Sequence, residues 1–132
     1  MEQPRATFPK RERIVSQKLI DQLFLAGQSR SQGAFPLRAV YHLRPRTEAD
    51  EPLQVLISVP KKHLHHAVDR NRAKRQVREA FRQHKQLLVS SLPADKALLV
   101  AFVWLADVPF ASRTIEDRVE KLLSRIAEKL AS

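Results

Sequence analysis

The side chains most able to bind a ligand or take part in a reaction lie between Lys61 and Lys85, where many cations and several histidines occur together. This stretch contains nine basic residues and two acidic ones, so it carries +7 of the chain's net charge of +10. Arginine binds phosphate through two parallel hydrogen bonds and also stacks on bases. The concentration of arginine in one segment therefore predicts contact with a polyanion, and nucleic acid is the partner that this composition favours.

The spacing within this stretch predicts one helix with two different faces. Apolar residues recur at helical spacing within an arc of about 100° and are expected to pack on the core; they are Ala73, Val77, Ala80, Phe81 and Leu88. A neighbouring arc presents polar residues, which are Asn71, Lys74, Arg75, Arg78, Arg82 and Lys85. Like charges four residues apart disfavour a helix by roughly 0.2 to 0.5 kcal/mol per pair, and a bound polyanion would remove that cost. The alternative, a solvated helix face, usually mixes Glu with Lys, whereas this face is mostly Arg.

The histidines raise the question of whether the protein itself cleaves nucleic acid. His63, His65 and His66 precede the helix, and His65 and Asp69 are four residues apart, so they could share a face. A protein nuclease needs carboxylates that hold Mg²⁺ or a positioned general acid and base. No carboxylate triad or complete ligand set accompanies these histidines. We therefore expect neither catalytic nor metal-binding side chains here, but a polar turn near phosphate, and the nuclease stays an alternative.

Length and composition predict a single domain over residues 1–132, in which residues 1–13 are flexible or lie over the surface. The chain has no cysteine, which suits a reducing cytoplasm. The longest apolar run, residues 97–106, is about half the length of a membrane span. We therefore expect a cytoplasmic protein with no membrane contact, and no obligate protein partner is evident.

Hydrophobic periodicity predicts the remaining elements. A first helix begins after an N-cap at Ser16 and ends at Gly27, and strands cover residues 35–43 and 53–59, which we expect to pair. Residues 97–105 are apolar on both faces, which is typical of a central strand. The last helix has Ser112 or Thr114 as its cap, and its core stripe is Ile115, Val119, Leu122, Leu123, Ile126 and Leu130. This order predicts an α+β sandwich of two layers, a mainly antiparallel sheet and about three helices.

Two segments resemble a known family. Residues 58–62 read SVPKK and residues 67–82 read AVDRNRAKRQVREAFR. They are similar to the motif of the bacterial ribonuclease P protein subunit, which is approximately S-V-x-K-K, A-V-x-R-N-R-x-K-R and R-E-x-F. The connection HLHH at residues 63–66 departs from the family, where this turn is shorter and usually contains Gly and Asn.

The resemblance implies a four-stranded sheet like that of the second domain of ribosomal protein S5, with a left-handed crossover around the basic helix. It also implies an accessory role, in which the RNA subunit carries the active site and binds Mg²⁺, while the protein binds this catalytic RNA and precursor tRNA. The RNA-binding residues that it implies are Lys61, Lys62, Arg70, Asn71, Arg72, Lys74, Arg75 and Arg78, and the basic arc of the helix adds Arg82 as a predicted RNA-binding residue.

The family also holds the 5′ leader of precursor tRNA in a cleft lined by aromatic side chains. Phe24 and Tyr41 match such positions, Phe35 is a further candidate, and Ile20 stands where the family has another aromatic residue. For each of these aromatics an ordinary packing role is the alternative. At the level of function the alternative is a structured-RNA-binding protein, such as a ribosomal protein, without a role in leader cleavage.

Overall fold

The computed structural model describes residues 12–14, 17–25, 29–48 and 51–131. Its elements are α1 (Gln17–Leu25), β1 (Arg30–Ala34), β2 (Leu37–Pro45), β3 (Leu53–Ser58), α2 (Ala67–His84), α3 (Gln86–Val89), β4 (Lys96–Trp104) and α4 (Ser112–Ala131). The predicted α+β class and the order helix, strands, helix, strand, helix are confirmed. Among the described helices, none is long and apolar enough to cross a membrane.

The four strands form one mixed sheet in the order β1-β2-β4-β3. The β1–β2 and β2–β4 pairs are antiparallel, whereas β3 and β4 are parallel neighbours joined through α2. The prediction that the strands at residues 35–43 and 53–59 pair with each other is therefore wrong. β4 lies between them because it is apolar on both faces and is buried along almost its whole length, as a central strand must be.

The main core lies between one face of the sheet and helices α2, α3 and α4. The predicted apolar stripes of α2 and α4 are buried there, including Val77, Phe81 and Leu122, which have no exposed surface. Trp104 is also fully buried, and its indole nitrogen donates to the carbonyl oxygen of Ala106 at 2.8 Å. The core assignments for these helices are confirmed, with Leu130 partly buried at the edge.

Helix α1 packs on the opposite face of the sheet. A smaller apolar cluster joins it to the strands, with Leu23 of α1 against Val40, Leu99 and Ala101, and with Ile14 alongside. The backbone of residues 13 and 14 runs beside β3, where the Ile14 amide donates to the Val55 carbonyl oxygen at 3.0 Å. The segment before α1 therefore covers part of the β3 edge.

The predicted ends of the helices can be compared with the structure only in part. Ser16 and Gly27 lie outside the described residues, and so do residues 1–11 of the segment that was expected to be flexible. Helix α4 begins at Ser112, and the amide of Ile115 donates to the carbonyl oxygen of Ala111. Since the carbonyl of the N-cap residue accepts the first intrahelical bond, Ala111 is the N-cap, and the prediction of Ser112 or Thr114 as the cap is wrong.

Lys85 does not belong to the exposed basic face as predicted. It is 8% exposed, and its ammonium group lies 2.9 Å from the Glu12 carboxylate, itself largely buried. The prediction was wrong because α2 ends at His84, and the chain then turns into α3 instead of continuing the periodicity of α2.

Candidate nucleic-acid interface

The turn before α2 fixes where the basic helix begins. Leu64, within HLHH, is buried in the main core, and His66 has an extended backbone just before the first helical residue. The Arg70 guanidinium donates from one nitrogen to the carbonyl oxygens of Leu64 at 2.9 Å and His65 at 2.8 Å. Arg70 therefore braces the turn, which gives this predicted RNA-binding residue a structural contact as well.

Six cations of this region have no side-chain partner among the described residues. Five of them are exposed and Lys74 is half-buried, whereas Val77 and Phe81 on the core face of α2 have no exposed surface. We call these six the basic surface: Lys61, Lys62, Arg72, Lys74, Arg75 and Arg78. Asn71 is exposed on the same stretch of α2 and adds a neutral donor and acceptor. Cations without carboxylate partners leave a strong positive potential, which favours a polyanionic ligand.

Arg82 differs from these residues because a carboxylate neutralises it. Its guanidinium donates to both oxygens of Glu79, one turn earlier on α2. This hydrogen bond lowers the pKa of the Glu79 carboxyl below its usual value, so the carboxylate stays ionised at neutral pH. Among the eight cations of the nine predicted RNA-binding residues, Arg82 therefore offers the least uncompensated charge to an approaching anion.

The three histidines before α2 differ in exposure and in the residues that they contact. His63 contacts the Asp107 carboxylate, 2.8 Å from its Nδ1 atom, in the loop after β4, whereas His65 and His66 are exposed. Among the described residues, no group of three or more His, Cys, Asp or Glu side chains is placed to hold a metal ion. His63 thus connects the turn before α2 to the loop between β4 and α4.

A cationic groove lies where α2 meets the edge of β3. It has a volume of about 210 Å³, its floor is apolar, and its cationic lining consists of Arg13, Lys74 and Arg78. No carboxylate lines it among the described residues. The sequence pattern identified Lys74 and Arg78 but not Arg13, since only the tertiary fold brings the segment before α1 beside α2.

The aromatic residues predicted to form one cleft lie in three different places. Phe24, on α1, is 45% exposed. Phe35 is 62% exposed in the turn between β1 and β2, where its ring packs edge-on against Phe110 and an α4 arginine, Arg118, donates to its carbonyl oxygen. Tyr41 is 4% exposed and belongs to the main core, on the face covered by α2 and α4. The structure thus does not bring these three side chains together.

Tyr41 was matched to an aromatic position of the leader cleft, but strand alternation places its side chain in the main core. Its neighbour Val40 packs against α1, so Tyr41 points to the opposite face, beside its register partner Val100. The residues that share the α1 side with Val40 are two positions away, Arg38 and His42, and both are partly or fully accessible. Sequence reasoning missed these two residues, although the alternation about Val40 could have indicated them.

Comparison with known proteins identifies similar chains. The family model described as Ribonuclease P matches residues 8–127. The ribonuclease P protein component of Porphyromonas gingivalis is 38% identical over 130 residues, which cover 96% of this chain and 93% of that protein. The ribonuclease P protein component of Nitrosococcus oceani is 40% identical over 81 residues, covering 61% of this chain and 63% of that protein.

Two solved structures share the fold. A mutant RNase P protein from Staphylococcus aureus, described as defective in mRNA degradation activity, superposes with a TM-score of 0.67 at 23% identity and covers 90% of each chain. The RNase P protein of Thermotoga maritima superposes with a TM-score of 0.60 at 21% identity, covering 83% of this chain and 94% of that one.

Proposed function

Because the chain belongs to the ribonuclease P protein family, we propose that the basic surface binds the catalytic RNA with which the protein works. The protein is a subunit of a ribonucleoprotein endoribonuclease that processes tRNA. The observation that supports this proposal is that the six cations of the basic surface have no side-chain partner among the described residues. Each such cation can neutralise a phosphate and release a counterion on binding. Arg70, Asn71 and Arg82 lie on the same helix and complete the contact.

The 5′ leader of precursor tRNA is the second RNA in this proposal, and it binds on the face of the sheet next to α1. Phe24 supplies a partly exposed ring for stacking, and Arg38 and His42 supply polar and basic groups on the neighbouring strand. Stacking of a base on an aromatic ring contributes roughly 1 to 3 kcal/mol. We assign no leader contact to Tyr41, which is buried, or to Phe35, which packs on the α4 side.

Mg²⁺ is the cofactor that we expect for the reaction, held mainly by the RNA subunit. The described residues do not fit a protein site for it, since no cluster of three potential ligands occurs among them. We therefore assign to this chain the binding and positioning of the two RNA molecules. Cations close to the contact between two RNA molecules reduce the repulsion between their phosphates, which lowers the concentration of Mg²⁺ that cleavage requires.

We also propose that the protein is a single domain and lies in the cytoplasm. One sheet and the cores on its two faces account for the described elements, which supports a single domain over residues 1–132. The relatives are bacterial and the chain has no cysteine, which supports a cytoplasmic location.

Cleavage of 5′-labelled precursor tRNA at low Mg²⁺ tests the proposed function. The arms contain the protein alone, a bacterial catalytic RNA alone, and both together. We expect cleavage at the mature 5′ end only with both present. Cleavage by the protein alone would contradict an accessory role, and tight RNA binding without any gain in cleavage would reduce the protein to an RNA-binding module.

A further inference from the structure

A pocket between α2 and α4 borders the basic surface. It has a volume of about 270 Å³ and opens between the outward side of α2 and the first two turns of α4. Drug-sized ligands occupy pockets of roughly 300 to 1,000 Å³, so this one suits a smaller group. Ala80 supplies an apolar wall, and the polar lining consists of Arg72, Arg75, Gln76, Glu79, Gln83, Ser112 and Glu116.

The polar groups of this pocket include both donors and acceptors. Arg72 and Arg75 have no side-chain partner among the described residues, so their N–H groups are available. The acceptors are two carboxylates that neighbouring side chains hold in place. Glu79 accepts from Arg82 and from Gln83, and Glu116 lies 3.1 Å from the Nε2 atom of His84. Each carboxylate keeps further lone pairs for a ligand.

This combination does not suit a phosphate inside the pocket, because two carboxylates would repel it. A neutral planar group that offers both acceptors and donors fits better. Unpaired RNA bases are such groups, since their hydrogen-bonding edges are exposed to side chains once they leave the helical stack.

We propose that the pocket binds an unpaired nucleobase of the RNA that contacts the basic surface, with a preference for guanine. The O6 and N7 atoms of guanine accept from arginine, and its N1–H and N2–H groups donate to a carboxylate. Adenine lacks this pair of adjacent donors. The inference rests on the proposed function, because each guanidinium has five N–H donors, so Arg72 and Arg75 can contact a phosphate of the bound RNA and also the base in the pocket.

Titration of the full-length protein with small probes, followed by amide NMR, tests this inference. The probes are GMP, AMP and ribose 5-phosphate, which has the sugar and phosphate without a base. We expect GMP to half-saturate at a concentration about tenfold lower than ribose 5-phosphate, since one good bidentate contact to a base discriminates by that order. The shifted signals should include Gln83 and Ser112. Equal binding of the three probes would overturn the inference and indicate phosphate contact only.

Filling the pocket provides a second test. Gln83 and Gln86 are both exposed glutamines, but only Gln83 lines the pocket. Gln83→Tyr should abolish the preference for GMP over ribose 5-phosphate, and Gln86→Tyr, the matched control, should keep it. Thermal melts establish that both variants are folded. A GMP preference that survives in folded Gln83→Tyr would overturn the assignment to this pocket.

Glu116→Gln tests the guanine preference with a nearly isosteric change. The amide removes the negative charge and replaces one acceptor oxygen by a donor, so the preference for GMP over AMP should fall severalfold. Both probes carry the same phosphate, so a general change in anion binding cancels in this ratio. An unchanged preference would overturn the role of this carboxylate. All these titrations use the protein alone, so they can fail while the cleavage assay succeeds, and the reverse also holds.

Discussion

Individual cations of α2 differ in how much charge they offer to RNA. Arg78 has no side-chain partner among the described residues and lines the cationic groove, whereas Arg82, four residues later, is neutralised by Glu79. The two residues are alike in type and lie on the same helix. Comparing substitutions at these two positions therefore measures how much an arginine without a carboxylate partner contributes to RNA affinity.

We expect Arg78→Gln to weaken binding to the catalytic RNA severalfold and Arg82→Gln to weaken it less. Loss of one phosphate contact should also reduce the slope of log affinity against log salt by about 0.9. Affinity measured by filter binding at several salt concentrations checks both expectations. If Arg82→Gln has the larger effect, the ion pair with Glu79 does not persist when RNA is bound.

Tyr41 has a hydroxyl group that is buried without a hydrogen-bond partner among the described residues. An unsatisfied buried polar group costs about 1 to 3 kcal/mol. Tyr41→Phe should therefore raise the melting temperature or leave it unchanged, and affinity for precursor tRNA with a leader should stay the same. A variant that melts normally but binds the leader more weakly would place Tyr41 in the leader site.

Phe24→Ala is the matched change on the α1 side of the sheet. Because this ring is partly exposed, its removal should weaken binding of precursor tRNA with a leader by about fivefold or more. Binding of mature tRNA should not change, and this comparison serves as the control. Equal losses for both RNAs would contradict stacking on the leader.

At the scale of elements, the sequence pattern predicted the faces of α2 and α4 because each helix carries its own apolar stripe at helical spacing. The burial of Val77, Phe81 and Leu122 confirms these predictions. β1, with the sequence RSQGA, was not predicted, because it is short, polar and mostly exposed, and it exists as a strand through its pairing with β2. Local periodicity carries no information about such pairing.

Local periodicity also could not reveal the strand order, the partner of Lys85 or part of the candidate site. Strand order depends on which strand is apolar on both faces and on the path of α2, so β4 separates β2 from β3. Lys85 looked like a member of the basic face, but its partner Glu12 is distant in sequence. For the candidate site, the cations of the motif could be identified from sequence, whereas Arg13 and the pocket beside α4 required the tertiary structure.

The packing of α2 supports a prediction about stability. Val77 has no exposed surface and contacts the main core. Val77→Asp should unfold the domain, because an unpaired carboxylate would be buried in apolar surroundings. Circular dichroism melting checks this, with Arg75→Asp as the control on the exposed side of the same helix. A Val77→Asp variant that melts like the parent would mean that this face of α2 does not pack on the core.

At the scale of the whole molecule, charge is distributed unevenly. The chain carries a net charge of +10, and the residues from Lys61 to Lys85 account for +7 of it. α2 uses its apolar side to join the sheet and α4, so its basic side faces outward, and the segment before α1 adds Arg13 to the cationic groove. One helix therefore links the core of the fold to the surface that we propose for RNA.

The central claim is that the unpaired cations of this surface bind RNA through phosphates, and the salt dependence of affinity for the catalytic RNA tests it most directly. If about six phosphates are contacted, affinity should fall roughly a thousandfold between 50 and 200 mM salt. In the double variant Arg72→Gln and Arg75→Gln the slope should decrease by about 1.8, while the melting temperature stays unchanged. A flat salt response of the parent protein, or an identical slope for a folded double variant, would contradict the claim.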